Sequence, residues 1–434
     1  MRAHPSRWVL SGATVAVGLG LLAVVVHDGS PGWQVLRGLV VVAATALLAG
    51  VVWSGGTAGG WAGAAVGLAG VLVGGGIGVR HVVKDAASIE TGAGLVALAA
   101  GVVLLGGSAW RLLRGARWWQ WALAVPVGLV VVALVGLVVV PALVATNVPP
   151  TSSGAVTPAD HGLDYEDVRL VTDDGVELAA WHIPSGNGAA VVVRHGAGST
   201  RANALDQAAV LADAGYGVLV TDARGHGDSD GRAMDFGWYG EADIVAAVSH
   251  LGTRPDVEPD RIGVLGLSMG GEEAIGAIGA DPRIAAAVAE GATARTDADT
   301  GWLSEEYGLR GWFQERLAWA QYRLTDLLTD ASRPPALADA VAAAAPRPVL
   351  LIAAGDLGDE TDAAEHLAEA APGSVTIWTV PGAGHTEGLD VAPDEWRRRV
   401  VGFFDEALVS DSRPTTPGSA SVDVADYEWP PSAR

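Results

Sequence analysis

The 434-residue chain contains no cysteine, and its two parts differ in which charges they lack. Without cysteine, disulfides, thiol catalysis and cysteine-ligated metal sites are all excluded. The first 146 residues hold eight cationic and three acidic side chains, a net charge of +5, so the remaining residues carry −27 of a total of −22. A domain this acidic argues against nucleic acid as its partner.

Five apolar runs in the first third each have about the length of 20 residues that a helix needs to cross the hydrocarbon core. They cover residues 8–26, 34–53, 58–79, 91–110 and 121–145. Consecutive runs of this kind predict five transmembrane helices rather than a cleaved signal peptide or buried soluble helices. None of them has a charge near its middle, so nothing indicates an ion or proton pathway, and we interpret the region as a membrane anchor.

Basic residues in the short loops predict the orientation of these helices. Arg2 and Arg7 precede the first run, and Arg111, Arg114 and Arg117 lie between the fourth and fifth. This bias favours a cytoplasmic N-terminus. With five spans, the C-terminal domain is then expected outside the cytoplasm, so the sequence predicts a multi-pass protein of the cell membrane.

Two segments rich in proline, serine and threonine flank the C-terminal domain. Residues 147–162 are expected to form a linker and residues 410–434 a disordered tail. Between them, at 163–409, eight short β-type runs alternate with helical patterns. This alternation predicts an α/β domain with a mainly parallel sheet, and a helical interruption at about 296–345 predicts a small cap.

The pentapeptide Gly-x-Ser-x-Gly occurs twice, as GDSDG around Ser229 and as GLSMG around Ser268. GLSMG directly follows the β-run RIGVLG and opens a helical run, which is the strand, turn and helix context of an exposed nucleophile. GDSDG leads into a polar loop. We therefore predict Ser268 as a nucleophile and Ser229 as a loop residue. The N–H group of Met269, at the start of the helix, can bind a developing oxyanion.

A nucleophilic serine needs a base, and the base needs an orienting acid. His385, in the loop PGAGHTEGL after the last β-run, is the predicted base. The segment HGAG, which follows the run AAVVVR, contains Ala197, and the N–H group of Ala197 is the predicted second oxyanion donor. Chemistry of this kind needs no metal and no organic cofactor.

Residues from about 165 to 408 resemble the α/β-hydrolase family, especially its prolyl-oligopeptidase-like and esterase-like bacterial branches. The resemblance is carried by RHGAGST, DARGHGDSDG, FGWYGEADI, GLSMGG, PVLLIAAGD and GAGHTEG, in the expected order. It implies the α/β-hydrolase fold, a serine-centred triad, and a structural rather than catalytic role for the loop 222–227. The substrate class is not implied.

The chain departs from the family pattern at the acid. The family usually places an aspartate about three residues beyond the glycine that ends the strand, but here Gly355 is followed by DLGDETD and that position is Gly358. Glu360 is narrowly favoured over Asp359 as the acid. The alternatives are Asp356 closer to the strand, Asp362 at the start of the next helix, and Glu290 after an earlier strand.

Together these features predict a membrane-anchored serine hydrolase that acts on a small-molecule or lipid-like ester or thioester at the bilayer. Two alternatives remain: a serine peptidase, and a non-catalytic hydrolase-fold module that serves the membrane region. An acid paired with His385 would favour the enzyme over the module.

Overall fold

The computed structural model describes residues 7–26, 31–84, 87–149 and 151–410. Within these residues, an N-terminal group of apolar helices is followed by a mixed α/β domain. The predicted tail, apart from Ser410, lies outside the described residues.

In the part of the chain that the structure describes, five N-terminal helices are long and apolar enough to cross a membrane, and they coincide with the five runs in the sequence. They are Arg7–Val25, Gly32–Ser54, Gly56–Val83, Ile89–Leu113 and Trp118–Thr146. We call them the first to fifth spans.

Glycine lets the third and fourth spans approach closely. A Cβ on Gly70 would lie 2.6 Å from the carbonyl oxygen of Ala97, and one on Gly101 would lie 2.7 Å from that of Gly67. Small residues at such a contact allow the two backbones to pack against each other, as is common between membrane helices.

The C-terminal domain is built on a single eight-stranded sheet of order β1-β2-β4-β3-β5-β6-β7-β8. β1 pairs with β2 and β2 with β4 in antiparallel fashion, and all other neighbours are parallel. The strands are β1 (Glu166–Val171), β2 (Glu177–Ile183), β3 (Ala190–Arg194), β4 (Gly217–Thr221), β5 (Ile262–Leu267), β6 (Ile284–Glu290), β7 (Val349–Ala354) and β8 (Val375–Val380). The predicted mainly parallel sheet is confirmed.

Helices cover both faces of this sheet because alternate strand residues point to opposite sides. Val192 and Val264 pack on one face, and Val191 and Val193 on the other. The first face is covered by the helices Gly240–Leu251, Met269–Ala280, Leu337–Ala344 and Gly358–Glu369. The second is covered by the helices Leu205–Asp213 and Pro393–Phe404. Each fully buried Val or Leu side chain contributes roughly 1.5–3 kcal/mol to such a core.

The helical cap lies between β6 and β7 and contains the helices Leu303–Tyr307 and Leu309–Leu328, the second of which we call the cap helix. The helix Leu337–Ala344, which the sequence pattern placed in the cap, instead packs against the helix Met269–Ala280. Its apolar side is buried in the main core, so the cap ends before it.

The cap helix also packs against the membrane region. Leu324 and Leu328 belong to one apolar cluster with Ala142 and Leu143 of the fifth span. Nearby, the guanidinium of Arg37 on the second span donates hydrogen bonds to Thr329 O at 2.9 Å and to Asp330 at 3.1 Å. The cap therefore connects the spans to the C-terminal domain.

Candidate active site

Ser268 lies in a tight turn between β5 and the helix Met269–Ala280, which we call the nucleophile helix. Its φ of 55° and ψ of −123° place a non-glycine residue in a strained region of backbone space. The glycines on either side leave no room for a side chain. A Cβ on Gly266 would lie 1.9 Å from Gly270 O, and one on Gly270 would lie 2.6 Å from His195 O. This is the strand, turn and helix geometry that the sequence predicted for Ser268.

Ser268, His385 and Glu360 meet at the carboxyl edge of the sheet, each following a different strand. Nε2 of His385 lies 2.7 Å from Oγ of Ser268, and Nδ1 of His385 lies 2.5 Å from Oε1 of Glu360. Glu360 is buried, and its other carboxylate oxygen accepts a hydrogen bond from the Ala354 N–H at 3.0 Å. The carboxylate is thus held in place while it contacts the imidazole.

Asp359, the other acid predicted near this position, does not contact His385. Its carboxylate is exposed and forms an ion pair with Arg310 of the cap helix at 2.7 Å. Successive residues of a helix point about 100° apart, so Glu360 faces inward when Asp359 faces solvent. Of the two acids that the sequence left open, the structure therefore brings Glu360, the favoured one, to His385 and not Asp359. Asp356 is also exposed, in the preceding turn.

The remaining acids have other partners. Asp362 accepts a hydrogen bond from the hydroxyl of Tyr307. Glu290, at the end of β6, accepts hydrogen bonds from Gly388 N at 2.8 Å and from Nε1 of Trp396 at 3.0 Å. Because Gly388 lies three residues after His385, these hydrogen bonds hold the end of the loop that carries His385. The sequence raised Glu290 only as an outside choice for the acid and did not indicate this supporting role.

Three acidic side chains raise the pKa of His385: Glu360 has the largest effect, and Glu272 and Glu290 have smaller ones. The hydrogen bond to Glu360 is the main cause that raises the pKa of His385 above its ordinary value, and burial partly opposes it. Glu272 lies one turn along the nucleophile helix and accepts hydrogen bonds from the N–H groups of Thr293 and Ala294. Burial raises the pKa of Glu272 to about 8. The sequence analysis did not identify Glu272 as a residue of the site. Its position four residues after Ser268, one turn along the same helix, was the sequence feature that could have indicated it.

The loop after β3 lies directly against the nucleophile. A Cβ on Gly196 would lie 3.0 Å from Cβ of Ser268. Two residues later, the Gly198 N–H donates a hydrogen bond to Nε2 of His226 at 3.0 Å. Burial lowers the pKa of His226 to about 4, which keeps this ring nitrogen free to accept. Ala197, the predicted oxyanion donor, is therefore held between two fixed glycines, and we call residues 196–198 the oxyanion loop.

Met269, the other predicted donor, directly follows Ser268 and is the first residue of the nucleophile helix. The N–H groups of a first helical turn point outward and favour negative charge. His195 is buried, and its Nε2 accepts the Ala223 N–H at 2.9 Å. Burial holds the pKa of His195 well below its ordinary value, which suits a structural acceptor and not a base.

Ser229, in the second copy of the pentapeptide, serves the loop after β4. Its hydroxyl donates to Asp222 O at 2.9 Å and accepts from Ala179 N at 2.8 Å. The carboxylate of Asp222 binds the backbone N–H groups of Arg201 and Asp228. These hydrogen bonds join the loop to β2 and to the segment after β3, and Ser229 lies in this loop, where its sequence context placed it.

Two aromatic side chains, Phe236 and Tyr322, pack against each other near the start of the nucleophile helix, and the sequence did not predict this contact. Phe236 has a positive φ of 59°, and its ring lies 5.1 Å from that of Tyr322 on the cap helix. A Cβ on Gly237 would lie 3.3 Å from the side chain of Met269. The segment FGWYG therefore brings the cap close to the serine.

This geometry agrees with comparisons to known proteins. A family model described as "serine aminopeptidase, S33" matches residues 186–345, which include Ser268, the oxyanion loop and the cap. The C-terminal domain is an α/β-hydrolase domain.

Several known proteins are similar to this hydrolase domain. An uncharacterized protein of Mycobacterium tuberculosis is 36% identical over 131 residues, which are 30% of this chain and 44% of that protein. The thiohydrolase aneE of Aspergillus aculeatus is 34% identical over 125 residues, 28% of this chain and 39% of that protein. A solved esterase of Pyrococcus furiosus has 28% sequence identity and a TM-score of 0.49, and covers 60% of this chain and 98% of its own. The chain spans less than half the length of these two curated relatives.

Proposed function

We propose that this protein is a membrane-anchored serine hydrolase that cleaves an ester or thioester through an acyl-enzyme on Ser268. The observation that carries the proposal is the unbroken hydrogen-bonded path from Oγ of Ser268 through His385 to Glu360. A serine, a base and an orienting acid in this order are what nucleophilic catalysis requires.

In the first half of the reaction, Oγ of Ser268 attacks the carbonyl carbon while Nε2 of His385 takes the hydroxyl proton. The carbonyl oxygen becomes an oxyanion that the N–H groups of Met269 and Ala197 stabilise. When the intermediate collapses, the protonated His385 gives its proton to the departing alcohol or thiol. Water then attacks the acyl-enzyme by the same steps, which releases the carboxylic acid and regenerates Ser268. Throughout, Glu360 keeps the proton of the imidazole on Nδ1.

A serine aminopeptidase is the second candidate, because the matching family model carries that description. Such an enzyme needs a free carboxylate to bind the ammonium group of its substrate. The buried acids nearest the triad are already engaged: Glu290 binds Gly388 and Trp396, and Glu272 binds two backbone N–H groups. With a pKa of about 8, Glu272 is also mostly protonated at neutral pH. These observations favour an ester or thioester over a peptide.

Side-by-side assays separate the two candidates. We expect the purified protein to hydrolyse a p-nitrophenyl acyl ester and an acyl thioester, and to leave aminoacyl p-nitroanilides intact. Faster cleavage of the anilides than of the esters would reverse this preference.

Active-site labelling tests the nucleophile itself. Membranes that carry the intact protein, Ser268→Ala or Ser229→Ala are treated with a fluorophosphonate probe. We expect labelling of the intact protein and of Ser229→Ala, and none of Ser268→Ala. The Ser229→Ala variant is a matched control because it removes the same hydroxyl from the other pentapeptide. If the folded intact protein is not labelled, the non-catalytic module becomes the better interpretation.

A further inference from the structure

The membrane region and the hydrolase domain are joined by a set of polar contacts at one end of the spans. His81, near the end of the third span, lies with Nε2 3.4 Å from the carbonyl oxygen of Asn147, which follows the fifth span. Arg232 of the hydrolase domain donates to Oδ1 of Asn147 at 3.2 Å and to Leu328 O at 3.3 Å. The end of the third span therefore has a defined position relative to the catalytic residues.

Arg80 precedes His81 and extends toward the oxyanion loop. Its Nη2 lies 3.6 Å from the position that a Cβ on Gly198 would occupy. Arg80 also acts on His226, whose ring accepts the Gly198 N–H, as one of the charges that lower the pKa of this histidine. A guanidinium from the membrane region thus lies beside the loop that carries the predicted oxyanion donor Ala197.

Arg80 lies beside a strongly acidic part of the protein. Among the residues that the structure describes, no carboxylate forms an ion pair with Arg80, although Arg37 pairs with Asp330 and Arg201 with Asp222 in the same part of the molecule. The surrounding domain is strongly acidic, since the chain beyond residue 146 carries a net charge of −27. Arg80 is half-buried, and its positive charge attracts an anionic group at this position. The negative charge of the rest of the domain would repel such a group.

The position of Arg80 also indicates the level of the active site relative to the membrane surface. It lies in the last turn of the third span, and basic residues at the end of a span reach the level of the lipid headgroups. Because Arg80 lies next to Gly198, the oxyanion loop is close to the same level. A guanidinium binds phosphate and carboxylate groups through paired hydrogen bonds, so a headgroup of either kind fits it.

We infer that Arg80 binds the anionic group of the substrate, and that the substrate is an amphiphilic ester with an anionic headgroup taken from the membrane surface. This inference rests on the proposed function of Ser268. In the reaction, water cleaves the acyl ester into a fatty acid and a headgroup alcohol, and the anionic group itself is unchanged. Arg80 is thus a specificity-determining residue that the membrane region supplies to the hydrolase site.

The test compares substrates that share one acyl chain and differ in headgroup. Lysophosphatidylglycerol offers a phosphate, an acyl ester of glyceric acid offers a carboxylate, and monoacylglycerol is neutral. Each is presented to the full-length protein at the same low mole fraction in neutral detergent micelles, so that surface charge is constant. We expect kcat/KM of the wild type to be about tenfold or more higher for at least one anionic ester than for the neutral ester. Preference for one of the two anionic esters distinguishes phosphate from carboxylate recognition.

Variants of Arg80 isolate its contribution. We expect Arg80→Gln to lower kcat/KM for the preferred anionic ester by about tenfold and to change the neutral ester by less than about twofold, and Arg80→Lys to retain part of the preference. Arg114→Gln is the matched control, because it removes an exposed cation between the fourth and fifth spans, at the opposite end of the membrane region. The rate of fluorophosphonate labelling in Arg80→Gln verifies that the site is intact.

Two results would overturn the inference. One is a wild type without preference for either anionic ester; the other is an equal loss for charged and neutral esters in Arg80→Gln, which would mean that Arg80 only supports the oxyanion loop. In both cases the wild type would still hydrolyse the neutral ester and be labelled at Ser268, so the proposed function would stand. Loss of all hydrolysis and labelling in the wild type would instead refute the proposed function.

Discussion

Oε1 of Glu360 lies 2.5 Å from Nδ1 of His385, while the adjacent Asp359 pairs with Arg310 at 2.7 Å. We expect Glu360→Gln to lower kcat by about 10³–10⁴-fold, because an amide no longer stabilises the imidazolium or selects its tautomer. The matched variant Asp359→Asn is expected to stay within about twofold of wild type, since an exposed ion pair contributes little. Ester hydrolysis by purified proteins measures both values, and a larger loss in Asp359→Asn would refute this choice of acid.

The pH dependence of the reaction should follow His385. The base must be neutral to take the proton of Ser268, and Glu360 raises the pKa of His385 above its ordinary value. We therefore expect kcat/KM to increase with pH and to level off once the pH exceeds this raised pKa. In Glu360→Gln, the same increase in kcat/KM should occur at lower pH. A profile of kcat/KM between about pH 5 and pH 9 measures the shift. An increase at the same pH in both proteins would contradict the assignment.

Replacement of a glycine near Ser268 by alanine should destabilise the hydrolase domain, because the added methyl group does not fit. We expect Gly270→Ala to destabilise the hydrolase domain by about 1–3 kcal/mol and to reduce labelling, because the new Cβ would lie 2.6 Å from His195 O. Gly402→Ala is the control: it lies in the helix Pro393–Phe404, and nothing stands within 4 Å of its new Cβ. Thermal unfolding of the detergent-solubilised proteins compares them. Equal stability of the two variants would show that the turn can relax.

Glu290 should position the loop of His385 without touching the substrate. In Glu290→Ala, the buried N–H groups of Gly388 and Trp396 lose their acceptor, which is expected to cost about 1–3 kcal/mol of the free energy of unfolding. We also expect a lower kcat with little change in KM, because the histidine is less well placed. Asp390→Ala, which removes an exposed acid in the adjacent short helix Gly388–Val391, is the control and should behave like wild type. A KM effect as large as the kcat effect would indicate direct substrate contact.

The side of the membrane on which the hydrolase domain lies can be measured cleanly because the chain has no cysteine. We expect Asp394→Cys, an exposed position in the hydrolase domain, to react with a membrane-impermeant maleimide in intact cells. Arg114→Cys, between the fourth and fifth spans, should react only after the cells are opened. The reverse pattern would place the hydrolase domain in the cytoplasm.

Local patterns in the sequence were sufficient for several features of this protein. Uninterrupted apolar runs predicted the five helices that are long and apolar enough to cross a membrane, and the alternation of β-type and helical runs predicted a mainly parallel sheet. The strand, turn and helix context distinguished Ser268 from Ser229, and the loop after the last strand indicated His385. Each of these signals is contained in a short stretch of chain, where hydrophobic periodicity and glycine placement directly reflect backbone geometry.

Other features depended on contacts between distant parts of the chain, and only the tertiary structure decided them. The choice of Glu360 over Asp359 depends on the rotation of one helix against the cap, where Arg310 binds the outer acid. The approach of Arg80 to Gly198 depends on how the third span meets the hydrolase domain. No local pattern encodes such distances, because packing between separate elements sets which side chains of a helix or loop face each other.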